Sequence, residues 1–336
     1  MDPISQGAFG AIFSQAVAGK KKYISGSVLG CLAGLAPDLD ILIQSTSDPL
    51  LKLEYHRQFT HSLVFIPLGA FIVAACTRFI FRKYLNWREA LVFCFFGYAT
   101  HGLLDSCTSY GTQLLWPFSD ERVTWNNISI IDPLLTLPIL IFILLIILYK
   151  RYWIVVLGVT YCFIYLGIGV IQNNRAEAAG KFLAGERGHA DKKLTVKPSF
   201  GNLVLWKIIY EQNGFYYVDA IRLLSKTEVC EGTRIKKLNV GKDFKRLDED
   251  SQQFKDIKRF TWFSQDYLGV GEDNSIITDV RYSFIPNEID GLWGIKIDIN
   301  KKNNEHVEWV VNRGDYYHNL AKLGNLLLGK DCESLF

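Results

Sequence analysis

The run Ile130–Tyr149, IIDPLLTLPILIFILLIILY, is almost entirely apolar and constrains the fold more than any other segment of the chain. About 20 apolar residues in a helix cross the hydrocarbon core of a bilayer. Further apolar runs cover Leu63–Phe81, Ala90–Leu104 and Trp153–Ile171. In lipid every backbone polar group must be satisfied internally, so these runs predict four membrane-spanning helices.

Two shorter apolar runs precede these four, Pro3–Ala18 and Tyr23–Ala36, and they flank the triplet 20–22 of lysines. Both are rich in Gly and Ala, which allow helices to approach closely. They are interpreted either as short spans or as a re-entrant pair. Together the six segments predict a polytopic helical membrane domain over residues 1–172.

Basic residues predict the orientation of this domain. They lie between the first two long runs (82–88) and at Lys150 and Arg151, and such loops favour the cytoplasmic side. Residues 37–61, residues 105–129 and the tail after Gln172 then face outward. The predicted location is a bacterial inner membrane, with the C-terminal domain on the periplasmic side. Cys230 and Cys332 would share an oxidising compartment there, where they can pair.

The sequence changes character after Gln172, where most of its charge lies. A polar linker is predicted over 173–197, followed by a soluble β-rich domain over 198–336. Alternating apolar and polar residues flank Asn213-Gly214, a strong hairpin signal. The pattern predicts antiparallel strands within 198–312 and a closing helix over 315–329. The fold class is therefore mainly α, with a small antiparallel β (α+β) domain at the C-terminal end.

Short clusters of acidic, histidine and amide residues stand at the edges of the apolar segments. They are Asp2 with Gln6, Asp38 with Asp40 in APDLD, His56 with His61 in HRQFTHS, and His101 with Asp105 in HGLLD. Placing such groups beside hydrocarbon costs several kcal/mol unless they are paired or coordinated. Carboxylates and neutral imidazoles are ligands of divalent metals, so a metal ion, most simply zinc, would supply that compensation.

The spacing of these clusters adds to the prediction. His101 and Asp105 are four residues apart and share one face of a helix. Asp38 and Asp40 follow Pro37, which suits a turn at a helix end. Taken singly, each residue has a simpler interpretation, such as a helix cap or a hydrogen-bonded interfacial side chain. The predicted topology brings all the clusters to one outer boundary, and this favours a common site.

The outward segment 106–129 is the next candidate. Its aromatic residues fit an interfacial belt. Arg122 in this segment and Arg57 before it are candidates for holding an anionic substrate, because guanidinium pairs well with phosphate oxygens. Asp132 begins a predicted span, where it either caps the helix or faces the site. The net charge of +3 without a long basic run argues against nucleic acid as a partner.

Several motifs of the chain resemble a bacterial family of membrane-bound metal-dependent hydrolases, one branch of which is LexA-regulated. They are MDPISQGAFGA, APDLD, HRQFTHS, HGLLDSCTSYGTQLLWPF and IIDPLLTLP, in that order, with continuation into PSFGNLVLWKIIY. That family is remotely similar to zinc-dependent phospholipase C and P1-type nucleases. The resemblance implies a helical site with up to three zinc ions and phosphoester chemistry. The chain departs from the family at Ser5-Gln6, where Thr-His is usual.

These observations together predict a metal-dependent hydrolase embedded in the membrane. Its metal ligands would come from Asp2, Asp38, Asp40, His56, His61, His101 and Asp105. Asp38 or Asp105 would take a proton from a metal-activated water. The predicted substrate is a phosphoester such as a phospholipid at headgroup depth, with membrane lipid as the partner. Two alternatives stay open: a membrane scaffold with a structural metal or polar-network site, and an ion transporter that uses intramembrane carboxylates.

Overall fold

The computed structural model describes residues 1–190, 192–271, 275–312 and 314–335. The chain divides into two compact units. The first consists of residues 1–43, 55–171 and 200–202. The second consists of residues 44–54, 172–199 and 203–336.

Helices dominate the chain up to Glu186. In chain order they are α1 (Pro3–Val17), α2 (Tyr23–Leu35), α3 (Leu51–Tyr55), α4 (Ile66–Phe81), α5 (Trp87–Ser106), α6 (Pro133–Tyr149) and α7 (Tyr152–Glu186). Short 3-10 helices lie at Lys20–Lys22, Ala36–Leu42, Phe59–His61 and Leu63–Phe65. Each of the six predicted apolar segments therefore contains a helix, and the helix ends lie within a few residues of the predicted ends except at the C-terminal end of α7.

Three of these helices begin at a side chain that caps them. The Asp2 carboxylate accepts from the backbone of α1, and Asn86 forms a capping box with Glu89 at the start of α5. Asp132 caps α6 and also accepts from the Tyr165 hydroxyl at 2.8 Å. Of the two roles that the sequence allowed for Asp132, the structure therefore shows the cap. Such caps satisfy backbone N–H groups that the first helical turn leaves unpaired.

Glycines set the distance between α1, α2 and α5. A Cβ added to Gly10 would collide with the backbone of Gly30 on α2, and one added to Gly97 on α5 would collide with the same residue. A Cβ on Gly34 would meet the Gln6 carbonyl of α1. These three helices therefore pack backbone against backbone, as small residues allow in membrane helices. The contact brings the last turn of α2 beside the last turns of α5.

Among the described residues, three helical segments are long and apolar enough to cross a membrane: Lys20–Leu42, Leu63–Phe81 and Tyr152–Glu186. The apolar helix Pro133–Tyr149 is shorter. The predicted spans in α1 and α5 are helical, but these helices do not meet the same criteria of length and composition. Both contain polar residues that the site uses.

The second unit is built on an antiparallel sheet. Its strands are β1 (Lys192–Pro198), β2 (Leu205–Gln212), β3 (Phe215–Leu223), β4 (Thr227–Lys237), β5 (Leu268–Val270), β6 (Ile276–Asp279), β7 (Trp293–Lys296), β8 (Glu308–Val311) and β9 (Glu333–Ser334). They lie side by side in the order β1 to β8, and β9 pairs with β4. Asn213 and Gly214 join β2 to β3 with positive φ, as predicted for a two-residue hairpin.

The structure adds helices that the β pattern did not predict: α8 (Val240–Asp243) and α9 (Gln252–Phe263). Helix α9 buries Ile257, Phe260 and Phe263 on one face. The closing helix is present as α10 (Tyr316–Leu327).

Regular structure also fills most of 173–197, where a linker was predicted, because α7 continues to Glu186 and β1 starts at Lys192. The predicted pairing of Cys230 with Cys332 is confirmed, since a disulfide joins them.

Candidate metal centre

Four of the predicted ligands converge in the first unit. Asp38 lies in the 3-10 helix that follows α2, and His61 ends the 3-10 helix Phe59–His61. His101 and Asp105 stand one turn apart near the C-terminal end of α5. One ligand atom from each of these four residues lies within 4.8 Å of the other three. The last three side chains are fully buried, whereas Asp38 is partly exposed.

Five separations between these atoms are near the spacing of ligands around one metal ion. The Nε2 atoms of His61 and His101 are 2.9 Å apart. Asp38 Oδ1 lies 3.5 Å from His61 Nε2 and 3.4 Å from His101 Nε2. Asp105 Oδ2 lies 3.3 and 3.7 Å from the same two nitrogens. A tetrahedron with metal–ligand bonds of about 2.0–2.1 Å has edges of about 3.3 Å, so one zinc-sized ion fits this donor set.

The outer nitrogens of both imidazoles are held by hydrogen bonds. His101 Nδ1 lies 2.5 Å from the carbonyl oxygen of Gly34, to which it can only donate. His61 Nδ1 lies 3.2 Å from Asp40 Oδ2. When Nδ1 carries the proton, Nε2 presents a lone pair, and in neutral rings the two lone pairs would face each other at 2.9 Å. A cation between them removes this repulsion, and carboxylate or carbonyl partners on Nδ1 are the usual outer support of metal-bound histidines.

The electrostatics of His61 also favour positive charge at the centre. Burial lowers the pKa of His61, but hydrogen bonds to Asp105, Asp38 and Asp40 outweigh this and raise its pKa to about 10. The surrounding carboxylates therefore attract a cation. A divalent ion meets this demand while the imidazole stays neutral and acts as a ligand.

Asp40 supports the centre through its contacts with residues 56–61. One carboxylate oxygen lies 2.7 Å from His56 Nδ1, and the other accepts from the backbone N–H of Arg57 at 3.0 Å and from the Thr60 hydroxyl at 2.9 Å. Together with its contact to His61, Asp40 binds four groups of the segment 56–61. Predicted as a ligand, it serves the four-donor group as the carboxylate that orients His61.

A second group of possible ligands shares Asp38 with the first. It comprises Asp38, Asp40 and His56, whose ligand atoms also lie within 4.8 Å of one another. The side chains of Asp38 and His56 are 26% and 21% exposed, so this group lies on the accessible side of the buried four. A carboxylate that belongs to two groups is suited to bridging two ions.

The two predicted phosphate-binding arginines are both buried, each only 4% exposed. Arg57 Nε lies 3.0 Å from Asp105 Oδ2, and Arg122 Nη2 donates to the carbonyl of Gly111 at 2.9 Å. The guanidinium carbons lie 4.7 and 5.6 Å from the ring centre of Tyr110. The guanidinium groups thus bind protein acceptors and an aromatic ring, and their role in holding an anionic substrate stays a prediction.

The N-terminal cluster divides into two roles. Asp2 belongs to neither group of possible ligands, because its carboxylate caps α1 and accepts from the Ser5 hydroxyl at 2.5 Å. Gln6, in contrast, reaches the centre: its Nε2 donates to Asp105 Oδ1 at 2.8 Å. Its Oε1 is buried and has no hydrogen-bond partner among the residues that the structure describes. An unpaired buried oxygen beside four converging donors fits a centre that holds an ion.

Three contributors to the site carried no sequence signal that pointed to them. The Gly34 carbonyl, Thr60 and Tyr110 act through their position only, and a lone Thr or Tyr is too common for the sequence to single out. The Met1 α-amino group also contacts Asp105. The donor set of two imidazoles and two or three carboxylates suits zinc and other divalent transition ions.

The fold and this cluster define a class: a polytopic helical membrane protein with a buried His/Asp group able to hold a metal ion. Comparison with known proteins gives the family. Residues 1–176, just over half of the chain, match the model of the YdjM inner membrane protein family, to which the chain therefore belongs. Every residue of the candidate centre lies inside the matched segment.

Two curated relatives share part of this region. The chain is 36% identical to the inner membrane protein YbcI of Escherichia coli over 109 residues, which are 30% of this chain and 60% of that protein. It is 27% identical to the uncharacterized protein YfhP of Bacillus subtilis over 107 residues, which are 32% of each. The chain thus spans about a third to three fifths of these relatives. No solved structure matches it.

Proposed function

We propose that this protein is a metal-dependent hydrolase of the inner membrane that acts on a phosphoester, with a phospholipid as the natural substrate. One observation carries the proposal. The Nε2 atoms of His61 and His101 face each other at 2.9 Å, and carboxylates close the group on two sides. The resemblance of the motifs to membrane-bound hydrolases supports the same chemistry.

In this proposal His61, His101 and Asp105 hold a divalent ion, zinc in the simplest case, and Asp38 is the fourth ligand until it withdraws to act as the base. When bound, such an ion polarises a phosphoryl oxygen and lowers the pKa of a water molecule toward about 7. Asp40 keeps the His61 ring in position, and the Gly34 carbonyl does the same for His101. Asp38, Asp40 and His56 would hold a second ion on the accessible side.

Asp38 is the better candidate for the general base. Its side chain is 26% exposed, so a proton taken from water can leave to solvent. The Asp105 carboxylate is fully buried and already contacts Arg57 Nε and the Gln6 amide. Both carboxylates have partners that favour the charged form, so the greater exposure of Asp38 is what distinguishes them.

The proposed orientation places the site and the second unit on the periplasmic side. The basic loops 82–88 and 150–151 support it. The Cys230–Cys332 disulfide supports it independently, because disulfides form and persist in oxidising compartments.

A structural metal is the second candidate function, and one observation favours it. The group offers four protein donors, the number typical of structural zinc sites, whereas catalytic sites keep one position for water. The partly exposed Asp38 distinguishes the catalytic metal from the structural metal. Its withdrawal from the ion would open the fourth coordination position to water. A structural site would need Asp38 as a permanent ligand.

The test compares purified wild type and Asp38→Asn in vesicles. Hydrolysis of phosphatidic acid and of a water-soluble aryl phosphate would be measured before metal removal, after it, and after zinc is restored. The proposal predicts hydrolysis that is lost with the metal and regained with zinc, and an Asp38→Asn variant that retains metal but loses most activity. Hydrolysis that survives complete metal removal would contradict the proposal, as would its absence from metal-loaded wild type.

A further inference from the structure

An apolar groove begins beside the candidate metal centre and follows α4. Its volume is about 480 Å³. The 3-10 helices around the centre and helices α2, α4 and α5 supply its walls, which include Leu32, Leu39, Thr60, Phe65, Ile72 and Cys76. Thr60 connects the groove to the centre.

The connection is direct at one end of the groove. Thr60 lines the groove and donates to Asp40, while its hydroxyl also lies 3.0 Å from His61 Nδ1. Leu39, between the two aspartates of APDLD, lines the same end. A molecule seated in the groove therefore has one end against the residues that support the centre.

The walls of the remainder of the groove are apolar. The Tyr98 hydroxyl donates to the Thr60 carbonyl at 2.9 Å, and the Thr77 hydroxyl donates to the Val73 carbonyl at 2.7 Å. Both hydroxyls thus have a partner within the protein. Phe65 and Cys76 are eleven residues apart, which corresponds to about 17 Å along a helix. This length and apolar surface suit an extended hydrocarbon chain.

We infer that the groove seats one acyl chain of the phospholipid whose phosphate ester reaches the metal centre. The inference rests on the proposed hydrolase function for the role of the headgroup, but the groove itself is independent of catalysis. Membership of an inner membrane family favours this occupant, because phospholipid is the long-chain apolar molecule that surrounds such a protein. The groove is concave and is continuous with Thr60. These two features distinguish the bound acyl chain from lipid that merely surrounds the protein.

A matched pair of variants tests the inference through hydrolysis. Ile72 lies in the groove on α4, and Ile141 lies outside it on α6; they are 45% and 57% exposed. Ile72→Trp should lower kcat/KM for dipalmitoyl phosphatidic acid by about tenfold or more, because the ring occupies the space of the chain. It should leave hydrolysis of a water-soluble aryl phosphate and the metal content unchanged. Ile141→Trp should change neither activity.

Photo-crosslinking tests the groove without relying on activity. The probe is phosphatidic acid with a diazirine at the end of one acyl chain, in phosphatidylcholine vesicles that contain the full-length protein. The inference predicts labelling concentrated near Cys76, and its loss in Ile72→Trp but not in Ile141→Trp. Equal labelling of α4 and α6, or labelling that Ile72→Trp does not reduce, would overturn it. Groove-specific labelling by a protein that hydrolyses no phosphoester would uphold the groove and refute the proposed hydrolase.

Discussion

At the scale of single residues, the candidate metal centre depends on Asp40 more than the sequence around Asp40 indicated. Its two carboxylate oxygens bind four groups of the segment 56–61, including the His61 ring. The segment contains Arg57 with φ of 65°, a left-handed conformation uncommon for a residue with a side chain. The hydrogen bond from Arg57 N–H to Asp40 stabilises this conformation. Asp40 thus determines where His61 lies.

Asp40→Asn should weaken metal binding without removing a donor from the four-membered group. The amide keeps the shape of the carboxylate but loses its charge, so the support of His61 weakens. Changes of this kind typically cost 10–100-fold in metal affinity, and we expect about that loss in a competition titration with a chelator. The exposed Asp120→Asn is the matched control and should titrate like wild type. An unchanged affinity in Asp40→Asn would remove Asp40 from the centre.

Gln6→His should strengthen metal binding. Gln6 is fully buried, its amide touches Asp105, and its Oε1 is unpaired. An imidazole is a better zinc ligand than an amide oxygen, so zinc titration should show a higher stoichiometry or tighter binding of the weakest ion. If Gln6 only packs between helices, the larger ring would instead cost about 1–3 kcal/mol of stability. Superimposable titration curves from two folded samples would exclude Gln6 from the site.

The sequence was sufficient to find most residues of the centre but not their roles. His61, His101 and Asp105 could be predicted because ionisable groups at the ends of apolar helices need a partner. The helix spacing of His101 and Asp105 also fixed their common face. Asp2 looked equally suitable, yet it caps α1, because sequence cannot distinguish a cap from a ligand at a helix start. The burial of Arg57 against Asp105 depends on a tertiary contact that no local pattern encodes.

At the scale of helices and strands, glycine contacts hold the site together. The last turn of α2 reaches His101 because Gly10, Gly30 and Gly97 bring α1, α2 and α5 into backbone contact. Gly10→Ala should therefore lower the unfolding temperature, with a cost of about 1–3 kcal/mol from forcing the helices apart. It should also weaken metal binding, because the Gly34 carbonyl moves away from His101.

Gly167→Ala is the control for this prediction. A Cβ there meets no atom within 4 Å, so the change should be neutral or slightly stabilising. Thermal unfolding in detergent, followed by tryptophan fluorescence, compares the two variants. Equal unfolding temperatures for Gly10→Ala and wild type would show that the close helix contact does not limit stability.

The elements themselves were largely predictable, and the errors have physical causes. Apolar runs gave the helices of the first unit, and alternation around Asn213-Gly214 gave the β2–β3 hairpin. Helix α9 was missed although Ile257, Phe260 and Phe263 recur at helical spacing, because they lie in a polar, charged segment between predicted strands. The end of α7 was missed because its polar residues after Gln172 resemble a linker, although Ala176 and Leu183 are buried.

At the scale of the whole molecule, the Cys230–Cys332 disulfide and the basic loops point to the same orientation. A reporter that is active only in the periplasm should therefore be active when fused to the C-terminal end. The same reporter fused after Lys83, in a basic loop, should be inactive. Activity of a cytoplasm-only reporter at the C-terminal end would contradict the proposed topology.

The disulfide itself yields a separate prediction. It joins residues 102 positions apart, and removal of such a bond typically costs about 2–5 kcal/mol. Cys230→Ser should lower the unfolding temperature of the second unit. Cys76→Ser, which removes an exposed and unbonded thiol, should not. Reaction of both Cys230 and Cys332 with a thiol reagent in unreduced protein would show that the bond does not form in the cell.

Metal content measured on the purified protein shows whether His61 and His101 hold a metal ion. Wild type, His61→Ala and His101→Ala would be purified in detergent without added metal, together with the exposed His318→Ala as control, and analysed by plasma mass spectrometry. We expect at least one equivalent of a divalent transition metal in wild type and in His318→Ala, and a loss of most of it in the other two. Equal metal content in all four folded proteins, or none in any of them even after incubation with zinc, would contradict it.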